Sequence, residues 1–314
     1  MSDPVVSPAV SVGKVALRSP LIIASGTWPH EQDYWKDPRC SFVGAACTKA
    51  LTLHPREGNP GTRLWETPCG LLNSIGLQNP GIDVFLGEDL PKISSGDIGV
   101  IANVAMEAAE ETAEVLQRLS LYDHLLLAVE LNISCPNVDA GGMAWGADPV
   151  MAAKAVELAR HHWEGPLWVK LTPQCVNIRD VATAAEAAGA DALVVANTWL
   201  GMAIDPLSER PVFSRRFAGL SGPAIFPLAL RLVWEVSSAV QIPVIGCGGI
   251  SRTEDVLSMM LAGASAVAIG TAHFTELSCF RSIGRELLEH LAAKGYSSPM
   301  DLIGKGKEEH GRIP

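Results

Sequence analysis

Apolar residues in this chain fall into short unbroken runs, separated by longer stretches in which apolar positions recur at helical spacing. A continuous Val/Leu/Ile-rich run is how a parallel strand buried on both faces is written, whereas a half-exposed strand alternates. Runs of this kind occupy residues 21–24, 42–49, 98–105, 125–131, 167–172, 192–196, 243–246 and 266–269. Helical spacing is clear between them, for example over 107–119 and 148–160. Eight apolar strands alternating with helices predict an α/β chain of the closed (β/α)8 TIM-barrel type. Ahead of the first strand, Val10 and Val12 face Val15 and Leu17 across Gly13-Lys14, which predicts a β-hairpin capping one end. After the second strand, residues 53–80 are rich in Gly, Pro and Asn and read as a long irregular insertion. A connection of that length inside a compact domain is usually functional.

In a barrel of this kind the chemistry collects where the strands end. Polar residues concentrate at those ends: Ser25 after the first, Lys49 closing the second, Asn103 in the third and Lys170 in the fifth. Asn197-Thr198 follow the sixth, Gly248-Gly249 the seventh and Gly270-Thr271 the eighth. The fourth strand runs into Asn132-Ile133-Ser134-Cys135-Pro136-Asn137. A lone cysteine is most often a small buried hydrophobe, but this one stands between amides that are costly in a core unless every group is paired, and Pro136 stops the ladder. A thiol flanked by amides suits a planar, polar ligand. Glycines after the last two strands commonly cradle a phosphate with backbone N–H groups, although each pair alone serves equally as a turn former. A lysine in an apolar strand must find an anion, reach water or lose its proton. A reduced flavin carries negative charge over its pyrimidine ring, so FMN is an attractive ligand for Lys170 and Lys49.

Composition narrows the classes. The 314 residues are 48% apolar and 18% charged, which fits one domain spanning 1–314 with a large core. A net charge of −10 argues against non-specific nucleic-acid binding. No signal pattern or membrane-length apolar run is present, so a cytoplasmic protein without membrane partners is expected. The seven cysteines show no C-x-x-C spacing and are read as reduced thiols, with neither a zinc site nor an iron–sulfur cluster expected.

Several longer motifs carry a family resemblance over residues 25–271. They are Pro55-Arg56-Glu57-Gly58-Asn59-Pro60, the stretch from Asn73 to Pro80, the Asn132 to Asn137 stretch, Gly201-Met202-Ala203-Ile204-Asp205, and Gly219-Leu220-Ser221-Gly222-Pro223-Ala224, together with the two glycine sites. With them the chain resembles the class 1 dihydroorotate dehydrogenases. The Gly76 to Gly81 stretch and Asn137-Val138 resemble the type B catalytic subunits in particular.

The resemblance implies FMN across the barrel mouth, contacted by Ser25, Lys49, Ala50, Asn103, Asn132 and Lys170, and by Ala196, Gly222, Gly248, Gly249, Gly270 and Thr271. It implies a substrate pocket of Lys49, Asn73, Ser74, Ile75, Gly76 and Leu77, with Asn132, Asn137, Asn197 and Thr198. Four asparagines suit a ring of amide and imide groups, since each offers donor and acceptor. Cys135 would be the general base in oxidation of (S)-dihydroorotate to orotate, a step of pyrimidine biosynthesis, with hydride passing to FMN. Type B enzymes hand electrons to NAD+ through a partner subunit carrying FAD and a [2Fe-2S] cluster, often as a homodimer within a heterotetramer. This chain has neither the cysteine set nor a G-x-G-x-x-G opening its first βα unit, so alone it is expected to reduce dyes but not NAD+.

Met106, Ala218 and Phe226 depart from the usual family pattern, and none is an expected catalytic position. Trp145, Trp199 and Phe226 read as packing residues, and Glu57 and Arg63 as solvated surface charges in preference to members of a loop that closes over the substrate. Two other readings stand beside this one. A dihydropyrimidine dehydrogenase-like barrel shares the flavin but not the carboxylate-bearing substrate, against which Lys49 with Asn137 argues. A flavin-free phosphate-binding lyase or isomerase would use Lys170 as a Schiff base, and such a protein would be colourless.

Overall fold

The computed structural model describes residues 6–28, 36–134 and 145–308. Its strands are β1 (Val10–Val12), β2 (Val15–Leu17), β3 (Leu21–Ile23), β4 (Val43–Cys47), β5 (Leu64–Thr67), β6 (Gly70–Asn73), β7 (Gly99–Ala105) and β8 (Ala128–Asn132). They continue with β9 (Leu167–Lys170), β10 (Ala192–Val195), β11 (Trp199–Met202), β12 (Ile204–Asp205), β13 (Arg210–Pro211), β14 (Phe217–Ser221), β15 (Val244–Cys247) and β16 (Ala264–Ile269). Eight of these close a parallel barrel in the order β3-β4-β7-β8-β9-β10-β15-β16, with β16 pairing back to β3.

Alternate residues of each strand serve two cores. Ala45 and Cys47 of β4, Ile101 of β7 and Val194 of β10 point inward, where they meet Trp168 and Ile245. Val43, Val100, Val104, Leu193 and Val195 point outward against the helices. Burial on both faces is why these strands lack a polar alternation. The β1–β2 hairpin supplies Val10, Val12, Val15 and Leu17 to the inner core and so stoppers the amino-terminal end of the barrel. The other end stays open.

The helices form where apolar positions recur at three and four residues. Ala109–Ser120 buries Thr112, Val115, Leu116 and Leu119. Pro149–His162 starts at Asp148, whose carboxylate accepts from Val150 N–H and Met151 N–H with Pro149 in the first turn, and it buries Ala152, Ala155, Val156 and Ala159. Among the described residues no helix is long and apolar enough to cross a membrane.

Three expectations are corrected. The fourth strand begins at Ala128 rather than at residue 125, because Asp123–Leu125 closes a 3-10 turn in which Leu125 N–H donates to Tyr122 O. The second strand ends at Cys47, two residues short of Lys49. The insertion is also not irregular throughout: β5 and β6 form a hairpin, and β6 pairs with β14 in a four-stranded antiparallel sheet ordered β11-β14-β6-β5. That sheet stands over the open end of the barrel and is held by the small Leu72, Phe213 and Ala218 cluster.

Candidate active site

Between the barrel mouth and the small sheet lies a cleft enclosing about 1000 Å³, solvent at its entrance included. The loop after β3 contributes Ser25, Gly26 and Thr27, and Lys49 enters beyond β4. Lys49 is carried into place by a segment that continues the strand's hydrogen bonding, with Thr48 N–H donating to Ile101 O and Leu51 N–H to Asn103 O. Lys170 rises from the end of β9; Ala196, Asn197 and Thr198 follow β10. Gly248, Gly249, Gly270 and Thr271 close the side built by β15 and β16, and Asn73, Ile75 and Gly222 come from the sheet above. Thirteen of the residues expected from the sequence therefore share one cleft.

The asparagines are oriented by one another. Asn197 Oδ1 accepts from Thr198 N–H at 2.8 Å, which turns its Nδ2 to donate to Asn132 Oδ1 at 3.3 Å. Asn132 Oδ1 also accepts from Ser134 N–H at 3.1 Å. Asn132 itself is buried and stands outside the cleft lining. Asn73 Nδ2 donates to Gly219 O at 3.2 Å, tying it across β6 and β14. Gln174 donates to Thr198 O at 3.2 Å while accepting from Thr172 Oγ1, and so latches the loop after β10.

Beneath the cleft, three polar side chains of adjacent strands β7, β8 and β9 meet inside the barrel. Glu130 Oε1 accepts from Asn103 Nδ2 at 2.5 Å and lies 3.6 Å from Lys170 Nζ. A carboxylate only accepts, so the amide of Asn103 has one possible sense, and its Oδ1 is buried without a partner among the described residues. Burial is the largest influence on Lys170 and lowers its affinity for its proton; the Glu130 carboxylate is the main opposing influence, and the balance holds the ammonium above the ordinary lysine range. Burial pushes the Cys247 thiol up, and burial together with Glu130 pushes the Cys47 thiol up, so both are neutral at neutral pH.

Some expected residues stand outside the lining. Ala50 and Asn103 are buried beside it. Ser74 is held by Asn59, whose Nδ2 donates to Ser74 Oγ at 2.9 Å and Ser74 O at 3.2 Å, and Leu77 O accepts from Asn79 Nδ2 at 2.7 Å. A Cβ at Gly76 would lie 2.5 Å from Asn59 Oδ1, so Gly76 packs against the loop's own brace. Arg63 is half-buried and does more than carry a surface charge: it donates to Asn59 O, Gln78 Oε1 and Glu57 O and ties the insertion together. Cys135 and Asn137 lie outside the described residues.

The cleft also uses residues that the sequence did not single out, among them Leu64, Leu71, Ile250 and Phe274. Ser221 is another; its Oγ accepts from Thr271 Oγ1 at 2.8 Å. The Gly219 to Ala224 stretch was a legible signal for Ser221, whereas the apolar residues carry none, since distant elements bring them to the rim. An anionic ligand with a flat polar ring fits the groups that line the cleft: hydroxyls and glycines, the Lys49 and Lys170 ammonium groups, and the amides of Asn73 and Asn197.

The family profile described as dihydroorotate dehydrogenase matches residues 8–291. The "Dihydroorotate dehydrogenase B (NAD(+)), catalytic subunit" of Geotalea daltonii is 44% identical over 296 residues, 94% of this chain and 97% of the relative. The protein of the same name from a Geobacillus species is 48% identical over 297 residues, 95% of each. Among solved structures, dihydroorotate dehydrogenase of Eimeria tenella in complex with ferulenol superposes with a TM-score of 0.79, covering 98% of this chain and 90% of that one. At 21% identity, that likeness bears on the fold.

Proposed function

This chain belongs to the dihydroorotate dehydrogenase family, and from that membership we propose that it is the FMN-bearing catalytic subunit of a two-component, NAD+-linked enzyme. It oxidises dihydroorotate to orotate in pyrimidine biosynthesis. The observation that carries this reading is the convergence of Lys49, Asn73 and Asn197 on one cleft with Lys170 and the Gly248-Gly249 turn.

FMN would be held by the polar groups of the barrel mouth. The phosphate would rest on the backbone of Gly248, Gly249, Gly270 and Thr271, with Gly222 and the Ser25 and Ala196 loops along the ring. The buried Asn103 Oδ1 is an acceptor waiting for a donor, and Lys170 is a cation at a site where negative charge would develop. When bound, FMN supplies the two-electron acceptor for the hydride that leaves dihydroorotate.

The chain's own residues would do the rest. Lys49 holds the substrate carboxylate, and the amides of Asn73, Asn132, Asn137 and Asn197 with Thr198 hold the ring through paired donors and acceptors; Ser74, Ile75, Gly76 and Leu77 shape the covering loop. Cys135 takes the proton from C5. An ordinary thiol titrates near ~8.5, so the rate rises with pH toward that region. The partner, an electron-transfer subunit carrying FAD and an iron–sulfur cluster, completes the path to NAD+ in a heterotetramer built on a homodimer.

The test is an anaerobic addition of dihydroorotate to the purified yellow protein. Wild type bleaches the flavin band, Cys135→Ser bleaches far more slowly at neutral pH with FMN retained, and dyes but not NAD+ reoxidise the single chain. A yellow protein that dihydroorotate does not bleach refutes the substrate, an unchanged rate in Cys135→Ser refutes the base, and robust NAD+ reduction by the chain alone refutes the partner.

A further inference from the structure

One buried charge beneath the cleft has no part in the proposed reaction. Glu130 is 4% exposed and does not line the cleft, yet its side chain is charged and enclosed by neighbouring strands of the barrel. Its neighbours on both sides are polar: Asn103 on β7 donates to it at 2.5 Å, and Lys170 Nζ on β9 lies 3.6 Å away. An apolar residue of similar volume would fill that place without the cost of burying a carboxylate. Lys170, in contrast, reaches the cleft lining, so the charge of Glu130 acts on a ligand through Lys170.

We propose that Glu130 is a positioning residue for the reaction: through its buried ion pair it keeps Lys170 charged and fixed at the floor of the flavin site. The proposal rests on the flavin reading above. Asn103 holds the carboxylate in place by its single possible amide sense. The titratable groups facing Lys170 are Glu130 from β8, Cys47 from β4 and Cys247 from β15, and burial keeps both thiols neutral. Glu130 is therefore the anion in that set. Without it, a buried ammonium beside apolar strands is driven toward its neutral form.

The experiment uses the FMN-loaded protein and sulfite, which adds to N5 of a flavin and leaves negative charge over the pyrimidine side, where a cation stabilises it. Sulfite dissociation constants are read from the loss of flavin absorbance, from about pH 6 to about pH 9. Glu130→Gln is expected to bind sulfite at least about tenfold more weakly than wild type at the upper end, with the difference narrowing at the lower end where Lys170 regains its proton. In a Lys170→Gln background, Glu130→Gln adds no further loss. Wild-type sulfite affinity in Glu130→Gln at every pH overturns the proposal, as does an undiminished loss in the Lys170→Gln background. Should Glu130→Gln alone fail to keep FMN, the neutral double variant is expected to keep it as well as Lys170→Gln does, and its failure to do so overturns the proposal. A wild-type protein that takes up no FMN removes the flavin reading together with this one, whereas a yellow wild type with indifferent Glu130 variants removes this one alone.

Discussion

Gly249→Ala separates the phosphate cradle from mere turn geometry. Gly249 has φ of +74°, and a Cβ there would lie 2.5 Å from Phe226 N and 2.6 Å from Phe226 Cα, both backbone atoms at the start of the helix Phe226–Val236. The left-handed conformation costs an alanine about 1–2 kcal/mol, and the clash cannot be relieved by a rotamer. Restoring an ordinary contact of about 3.5 Å requires the turn to move by about 1 Å. A backbone N–H displaced that far from a phosphate oxygen no longer makes a hydrogen bond. Bonds to a charged acceptor contribute about 1.5–3 kcal/mol each, so losing one weakens FMN binding between about 10- and 100-fold. The assay is quenching of FMN fluorescence on titration of apoprotein, with far-UV circular dichroism to verify the fold. Gly295 is the control: it caps the helix Cys279–Lys294 at φ of +73°, and a Cβ there meets nothing within 4 Å. Gly295→Ala should cost about 1 kcal/mol in urea unfolding and leave FMN affinity alone. Equal FMN affinities for wild type and a folded Gly249→Ala, or an equal loss in Gly295→Ala, would refute the reasoning.

Two further outcomes are expected. Asn132→Ala leaves Ser134 N–H and Asn197 Nδ2 without their acceptor, a loss of about 1–3 kcal/mol each, and should reduce the efficiency of flavin bleaching by dihydroorotate by at least about 10-fold; an unchanged concentration dependence in stopped flow contradicts this. His273 is held below its ordinary value of 6.5 by burial, with the Arg39 charge adding to it, so the unfolded chain takes up the proton first as pH falls. Stability contributed by neutral His273 is thus present above the unfolded value and declines as pH drops below it, and His273→Phe should remove that component of the pH dependence of the urea midpoint; a parallel decline in the variant argues against it.

The barrel was legible because its signal is local. A strand buried on both faces must be apolar along its whole length, and each of the eight runs states this without reference to the others. The same logic located the site, since every βα connection leaves the strand's carboxyl end at the same mouth. Lys49, Lys170, Asn197 and the glycine pairs could therefore be placed in one cleft from order alone, and the structure brings them there. Pairing between distant segments was not legible. β6 and β14 are joined by Asn73 and Gly219, which stand 146 positions apart, a pairing that no single stretch of the insertion announces, so the insertion looked irregular. Arg63 looked solvated for the same reason: its three acceptors become neighbours only when the loop has folded around it. Glu130 is the sharpest case. In the sequence it is one polar residue inside an apolar run, and only the pairing of β8 with β7 and β9 sets it between Asn103 and Lys170, where a buried charge acquires its partners. Local pattern decides which segments become strands; side-chain partnership across the barrel depends on register and closure, which no single stretch of chain contains.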